Sequence, residues 1–249
     1  MTWSATHRDR LASLFGAYYA PDTVRAILEL IRPALRLTGA GTRLEISRLG
    51  GPPMLSPGLT WPDWEGRPLD FLAVIDFAET ASVLSLPELP ATGRACFYYA
   101  AEIPRPWGDD PAERDGWRVL CGAGGPVLQA GDRPALALAA EPFLSLPGPS
   151  EPSLRALDVA WNGFLDVYEQ LYEAWLRFVW ADGPRHQLAG WPVLVQRSLG
   201  EDQRLLLQLD SDERLGRCWG DPGTVYFHAR AADLRSGALD HCRLTLQAR

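Results

Sequence analysis

Apolar residues follow a helical period at two places in the chain and alternate in short runs elsewhere. Across residues 8–36, Leu11, Leu14, Phe15 and Tyr18, then Val24, Ile27, Leu28 and Ile31, return every three or four positions, the stripe of an amphipathic helix. Pro21 interrupts that stripe and is placed to open a second helix. From Leu44 onward short apolar runs are cut by Gly and Pro, and 44–46, 69–75, 95–100, 117–121 and 135–139 read as strands at antiparallel spacing. The Pro/Gly/Ser stretch 146–153 is the best internal linker. Beyond it, Leu157, Trp161, Phe164, Leu165, Tyr168, Leu171, Trp175, Leu176 and Val179 predict one long helix from 153 to 181, closed by Asp182-Gly183-Pro184. At this period the aromatic stripe reads as core packing rather than as a ligand box. Strands return at 193–196, 204–209, 224–229 and 242–247.

Three blocks of the first strand region recur in the same order in the second. Arg48-Leu49-Gly50-Gly51-Pro52-Pro53 lines up with Gln187-Leu188-Ala189-Gly190-Trp191-Pro192. Phe71-Leu72-Ala73-Val74-Ile75-Asp76 lines up with Leu205-Leu206-Leu207-Gln208-Leu209-Asp210, and Gly93-Arg94-Ala95-Cys96-Phe97-Tyr98 with Gly223-Thr224-Val225-Tyr226-Phe227-His228. The offset shrinks from block to block, as trimming of loops in a second copy would make it. The expectation is an internally duplicated α+β fold of mostly antiparallel sheets, with N-terminal helices and one long central helix. Two pseudo-repeats, about 44–100 and 183–230, are joined by the 153–181 helix. Each copy has too few strands for its own core, so the two should pair into a single domain over 1–249.

Composition narrows the function classes. The formal net charge is −7 and every one of the 24 basic residues is Arg. An acidic chain is a poor binder of phosphate backbones, so no nucleic acid is expected as partner. The absence of Lys excludes Schiff-base chemistry, pyridoxal attachment and the P-loop lysine, and no cofactor is implied. The first ten residues lack the apolar segment of a signal peptide, and no run reaches the length of a membrane span, so a cytoplasmic protein without membrane contact is expected. Four cysteines without a C-x-x-C pair signal neither zinc nor disulfides; Cys96 and Cys121 read as buried thiols.

The run from Arg48 to Pro53, Pro57-Gly58-Leu59-Thr60-Trp61-Pro62, Pro68-Leu69-Asp70 with the strand after it, His186-Gln187-Leu188-Ala189-Gly190-Trp191-Pro192, and Trp219-Gly220-Asp221-Pro222-Gly223-Thr224-Val225-Tyr226-Phe227 together resemble the YwqG-like family of bacterial proteins of unknown function, over residues 40 to 247. Val74 stands where that family's first strand carries Gln, so only Gln208 remains of a symmetric pair. The resemblance implies the duplicated α+β fold and no reaction. It suggests, through the toxin systems near which such proteins are encoded, an immunity or accessory role.

Of the candidate chemistry, the carboxylates Asp210, Asp212, Glu213 and Asp221 could hold a hard cation. Asp210-x-x-Glu213 and its counterpart Asp76-x-x-Glu79 nevertheless read first as capping boxes, and no metal site is assigned. The four histidines show no metal spacing; His186 stands out because it opens the second Gly-Pro block. Cys121-Gly122-Ala123-Gly124-Gly125-Pro126 reads as a turn rather than a phosphate loop. Trp61, Trp64, Trp191 and Trp219 could form a recognition face. The leading expectation is therefore a non-catalytic binding protein, an immunity or accessory protein covering a basic partner such as a toxin domain. The alternative is an enzyme, or a small-molecule or cation binder, with a polar groove between the pseudo-repeats. Its candidate ligand residues are Arg48, Trp61, His186, Gln208, Asp210, Asp212, Trp219 and Asp221, with no catalytic residue named.

Overall fold

A computed structural model describes residues 3–39, 41–55, 58–122, 134–157, 159, 161–181 and 183–249. The helices are α1 (Trp3–Gly16), α2 (Pro21–Glu29), α3 (Phe77–Val83), α4 (Pro152–Arg155), α5 (Phe164–Trp180) and α6 (Ala231–Ser236). The strands are β1 (Arg32–Thr38), β2 (Thr42–Gly50), β3 (Asp63–Trp64), β4 (Arg67–Pro68), β5 (Asp70–Asp76), β6 (Arg94–Tyr99), β7 (Trp117–Cys121), β8 (Ala135–Ser145), β9 (Gln187–Leu188), β10 (Gln203–Asp210), β11 (Gly223–Arg230) and β12 (Arg243–Ala248). The fold is α+β and mostly sheet. Ten strands form one antiparallel sheet in the order β12-β11-β10-β9-β1-β8-β2-β5-β6-β7, and β3 and β4 make a separate hairpin.

That order has β1 and β8 at its centre and four strands on either side. The flanks match pair by pair. In one, β5 and β6 set Ala73 opposite Phe97 and Ile75 opposite Ala95; in the other, β10 and β11 set Leu207 opposite Phe227 and Leu209 opposite Val225. The register of β5 against β6 shifts between Phe71 and Ala73, and that of β10 against β11 between Leu205 and Leu207, so both bulges fall at corresponding positions. β2 pairs Leu49 with Ala73, and β9 pairs Leu188 with Leu207. β1 lies beside β9 of the later flank, whereas β8 lies beside β2 of the earlier one. The later flank is thus completed by β1, from the start of the strand order, and the earlier one by β8, the strand that follows it in the chain.

The sheet curls until its two edges meet. Trp117 of β7 donates its indole N–H to the Cys242 carbonyl at 3.0 Å, and the Leu246 N–H of β12 reaches the Trp107 carbonyl at 2.9 Å. Inward residues of both flanks form one interior, including Leu49, Ile75, Phe97, Leu188, Leu209 and Phe227. Phe97 and Phe227 meet edge to face with centroids 5.0 Å apart, a geometry worth about 0.5–1.5 kcal/mol beyond burial. Outside the centre, α1, α2 and α5 cover Ala34, Phe143 and Leu144. Trp175 and Tyr168 of α5 bond to the carbonyls of Leu144 and Pro147 at 2.9 and 2.8 Å.

Several expectations need correction. The helical pattern over 8–36 ends at α2, and residues 32–38 are the central strand β1, whose Leu35 and Leu37 face the interior while Ala34 faces the helices. Leu28, Ile31 and Leu35 carry the helical period of α2 on into β1, while Leu35 and Leu37 follow the strand alternation, so the pattern alone mislabels the strand. Stretch 146–153 is no linker: Leu146, Pro147, Gly148 and Glu151 are buried under α5. The long helix is broken, with α4 ending at Arg155 and α5 beginning at Phe164, and Trp161 is exposed between them. Residues 193–196 form no strand; their backbone bonds to side chains instead. Of the Cys121–Pro126 turn, 123–126 lie outside the described residues, as does Asp182 of the expected helix stop.

Two glycines hold the flanks against the centre. Gly51 and Gly190 occupy the same place after β2 and β9, at φ +75° and +76°. A Cβ on Gly51 would stand 2.8 Å from the Ala135 Cβ; one on Gly190 would stand 2.7 Å from the Ala34 Cβ and collide with the Ser145 hydroxyl. Gly190→Ala and Gly51→Ala should each cost about 2–4 kcal/mol, from the left-handed backbone and the overlap together. Gly58→Ala, at φ +86° with nothing within 4 Å, should cost about 1 kcal/mol. Urea unfolding of the three variants checks this: equal losses at Gly190 and Gly58 would mean that close approach is not the constraint.

Candidate functional site

His186 stands just before β9 and is 1% exposed. The N–H of Asp210 donates to its Nδ1 at 3.2 Å, so that nitrogen carries a lone pair and the proton sits on Nε2. Nε2 donates to Asp212 Oδ2 at 3.0 Å. Asp212 in turn accepts the Arg214 N–H at 3.0 Å and the Arg214 guanidinium on both oxygens, with the shortest contact 2.6 Å. Burial would raise the Asp212 pKa, but the bonds from His186 and Arg214 outweigh it and hold the carboxyl well below the usual range. Both imidazole nitrogens are thus committed within the protein. A general base needs a nitrogen within reach of substrate, and this ring has none to offer.

The first flank builds the same junction from other residues. Ser47 takes the place of His186: its hydroxyl accepts the Asp76 N–H at 2.9 Å and donates to Glu79 Oε2 at 2.8 Å. The Glu79 carboxylate also gathers the N–H groups of Glu45, Ile46 and Ser47 at 2.7, 2.7 and 2.9 Å. Those amides cannot join the ladder, because the register of β2 against β8 breaks between Arg43 and Arg48. Both capping boxes therefore need revision. Asp76 does cap α3, accepting from Ala78 and Glu79 at 3.0 and 3.1 Å, but Glu79 reaches to β2 rather than back to the cap. Asp210 accepts from Ser211 and Arg185 N–H and from the Thr224 hydroxyl, all at 3.0 Å; the turn Glu213–Leu215 is capped by Asp212 instead.

Between the flanks lies a cleft of about 340 Å³. Leu49, Phe71 and Leu72 come to it from the first flank, His186, Asp210, Arg217 and Trp219 from the second, and Glu102 stands exposed at its edge. Arg217 pairs with Asp70 at 3.2 Å across the two flanks. Of the sequence candidates, His186, Asp210 and Trp219 line this cleft and Asp212 sits behind His186. Arg48 and Gln208 do not. Their parity puts them on the outer sheet face, where Arg48 bonds to the Pro52 carbonyl at 2.5 Å and Gln208 takes the Val193 N–H at 2.9 Å, each pinning the segment that follows its Gly turn. Asp221 is exposed in the turn before β11, and Trp61 packs its ring edge against Tyr98 on the outside of the first flank.

The proposed tryptophan face is also dispersed. Trp219 is 2% exposed, with its indole N–H on the Asp210 carbonyl at 3.2 Å, and Trp191 is buried with its N–H on the Leu30 carbonyl at 2.6 Å. Neither stands outward. Cys96 is buried and its thiol pushed up to about 11, first by burial; Cys121, expected inside, is exposed at the end of edge strand β7. Among the described residues no group of three or more His, Cys, Asp or Glu could hold a metal ion, since Asp212 is engaged by His186 and Arg214 and Asp221 lies apart. The sequence reading missed Asp70, Arg217, Glu102, Ser47 and Glu79 as partners. Only the correspondence of Ser47 with His186, one residue before the matched blocks, could have pointed to any of them.

Residues 47–248 match the family described as Domain of unknown function (DUF1963). The chain belongs to that family. No curated protein matches it. The matched range begins inside β2, so central strand β1 lies ahead of it, although β9 and β8 both pair with β1.

Two outcomes test the buried polar groups of this DUF1963 chain. Asp212→Ala leaves His186 and Arg214 without their acceptor and should cost about 2–3 kcal/mol in urea unfolding, part of the buried-pair value because Arg214 is half exposed. A loss below about 0.5 kcal/mol would mean that the junction does not hold the flank. His228 is buried between Gln203 and Thr245, and burial, then Arg243, brings its pKa down to about 3. Its folded pKa lies below the unfolded value of about 6.5, so the unfolded chain binds the proton first. Stability is full above that value and falls as pH drops towards 3, by at most about 1.4 kcal/mol per pH unit. His228→Gln should flatten this slope between pH 6.5 and 4; an unchanged slope would assign it to other groups.

Proposed function

We propose that this chain is a non-catalytic binding protein whose ligand seat is the cleft between two duplicated halves. The observation that carries the reading is the cleft's construction. A space of about 340 Å³ takes its walls from both flanks, combines an apolar floor with Asp70, Arg217 and Asp210, and contains a histidine with neither nitrogen free. Such a site can position hydrogen bonds and apolar contacts around a small polar molecule, yet offers His186 no proton to exchange with it.

The duplication belongs to this reading. Matching registers, bulges and glycine turns support descent of both flanks from one unit, as does the recurrence of Arg32-Pro33-Ala34-Leu35 as Arg133-Pro134-Ala135-Leu136 around the start of the two central strands. Membership of the YwqG-like group and a cytoplasmic location are part of the same proposal.

A second reading, an immunity or accessory protein that covers a basic partner, is favoured by one surface. Arg67 stacks over Trp64 at 4.9 Å and bonds to the Pro104 carbonyl at 2.8 Å, which sets the β3–β4 hairpin beside Ile103, 82% exposed, in a loop that also exposes Trp107. Exposed apolar rims of this kind mark contact sites, and the net charge of −7 would speed association with a cationic surface.

Native mass spectrometry of the full chain purified from its expressing cell, beside Glu102→Trp, tests the first reading. Trp at the exposed edge should block the cleft without touching the interior, so a bound mass present in the wild type should disappear while thermal melting stays within a few degrees. A wild type that carries no adduct, together with an adduct-free lysate titration, would discard the cleft as a ligand seat.

A further inference from the structure

We propose that a second niche, between Arg32 of β1, the segment 86–88 and Ala189 after β9, is a binding site for a small carboxylate with a short apolar tail. The niche measures about 140 Å³ and is lined by Arg32, Pro33, Leu86, Pro87, Glu88 and Ala189. It is separate from the cleft: no residue lines both.

Its cation is held against an aromatic ring, and among the described residues no acceptor meets its N–H groups. The Arg32 guanidinium carbon lies over the Trp191 ring, 3.3 Å from its centroid. That ring cannot drift, because Trp191 donates its indole N–H to Leu30 at 2.6 Å and its backbone N–H to Ser145 Oγ at 2.8 Å, and accepts from Gln187 at 2.7 Å. Among the described residues no carboxylate or carbonyl accepts from the Arg32 side chain, although guanidinium presents five donors in a planar fork. Burial, and then Arg204, bring its pKa down to about 10 against the pull of Glu88 and Glu151, so the group stays charged at neutral pH. A partly buried, charged donor set without an acceptor is costly, and a bidentate carboxylate meets that fork.

The neighbours select the ligand. Glu88 is held by Arg204 at 3.1 Å, while Arg204 Nη1 turns to the carbonyls of Glu201 and Gln203 at 3.0 and 2.9 Å; Glu151 accepts from Ser198 at 2.9 Å. These carboxylates neutralise the wider surroundings and penalise a dianion, whereas a monoanion is matched by Arg32 alone. Pro33, Leu86, Pro87 and Ala189 supply an apolar wall for a few methylenes.

Titration of the full chain with sodium butyrate at constant ionic strength, followed by tryptophan fluorescence and calorimetry, tests the site, with inorganic phosphate as the second probe. Butyrate should bind saturably and phosphate more weakly. Arg32→Gln should weaken butyrate at least about tenfold, and Glu88→Gln, which removes a negative charge and releases Arg204, should tighten it several-fold. Glu102→Trp should leave butyrate binding unchanged, which keeps this result apart from that of the cleft. Butyrate that does not saturate, that binds Arg32→Gln as it binds the wild type, or that phosphate outcompetes would overturn the proposal. If Arg32→Gln does not fold, Glu88→Gln decides: an affinity no higher than the wild type's overturns it.

Discussion

The pairing of β1 with β8 is the contact on which the rest of the structure depends. Seven residue pairs, from Arg32 opposite Ser145 to Thr38 opposite Ala139, join strands a hundred residues apart and turn two four-stranded flanks into one sheet. Without it, β1 and β8 would each become an edge, and an edge strand exposes a row of unpaired donors and acceptors. The alternation of β1 and β8 also fixes which face each flank presents. Leu35, Leu37, Leu138 and Ala140 look inward, so every strand hydrogen-bonded outward from them inherits that parity, and a slip of one residue would turn the whole interior out. The close approach of Gly51 to Ala135 and of Gly190 to Ala34 follows from this seam, since a larger residue at either place would push a flank off it.

What the sequence made legible were the parts governed by local alternation and by likeness between blocks. The strands β5, β6, β10 and β11 lie where the apolar runs put them, and Ile75 with Leu209, and Phe97 with Phe227, occupy corresponding strand positions. The central strand escaped because residues 31–37 fit two periods. Its likeness to β8 was nevertheless written in the chain, as the tetrad Arg32-Pro33-Ala34-Leu35 that returns at Arg133, outside the three matched blocks. The broken helix was illegible for another reason. Trp161 is apolar and falls on the helical period, but it lies beside Gly163, where a Cβ would meet the indole, and no pattern of polarity reports that a turn intervenes.

The candidate site was half legible. His186, Asp210 and Trp219 were reachable from their place in the second block. Arg48 and Gln208 were grouped with them because all are polar, yet strand parity sends them to the opposite face, where Arg48 and Gln187 do the same work: each holds the carbonyl of the residue four positions on, Pro52 and Trp191. The chemical role of His186 was invisible to sequence altogether. Whether an imidazole is a base depends on what its two nitrogens touch, and here one is met by a backbone amide across the strand pair and the other by Asp212.

The two flanks share a backbone plan while differing in the side chains set upon it. At the positions that begin β5 and β10, the first flank has Asp70 paired with Arg217 and the second has Arg204 paired with Glu88, the same kind of bridge with its charges exchanged. The junction behind each Gly turn is Ser47 with Glu79 in one and His186 with Asp212 in the other. Val74 and Cys96 line an apolar outer face in the first flank, whereas their counterparts Gln208 and Tyr226 hold the 193–195 backbone by hydrogen bonds in the second. Constraints of register and close approach are common to both flanks because they belong to the sheet; the charges and hydrogen-bonding groups are free to differ, because each needs only its own local partner. Two niches of unlike electrostatics accompany that freedom, one lined by the paired Asp70 and Arg217 and one by Arg32, on flanks that share their order of strand pairing and the place of their register shifts.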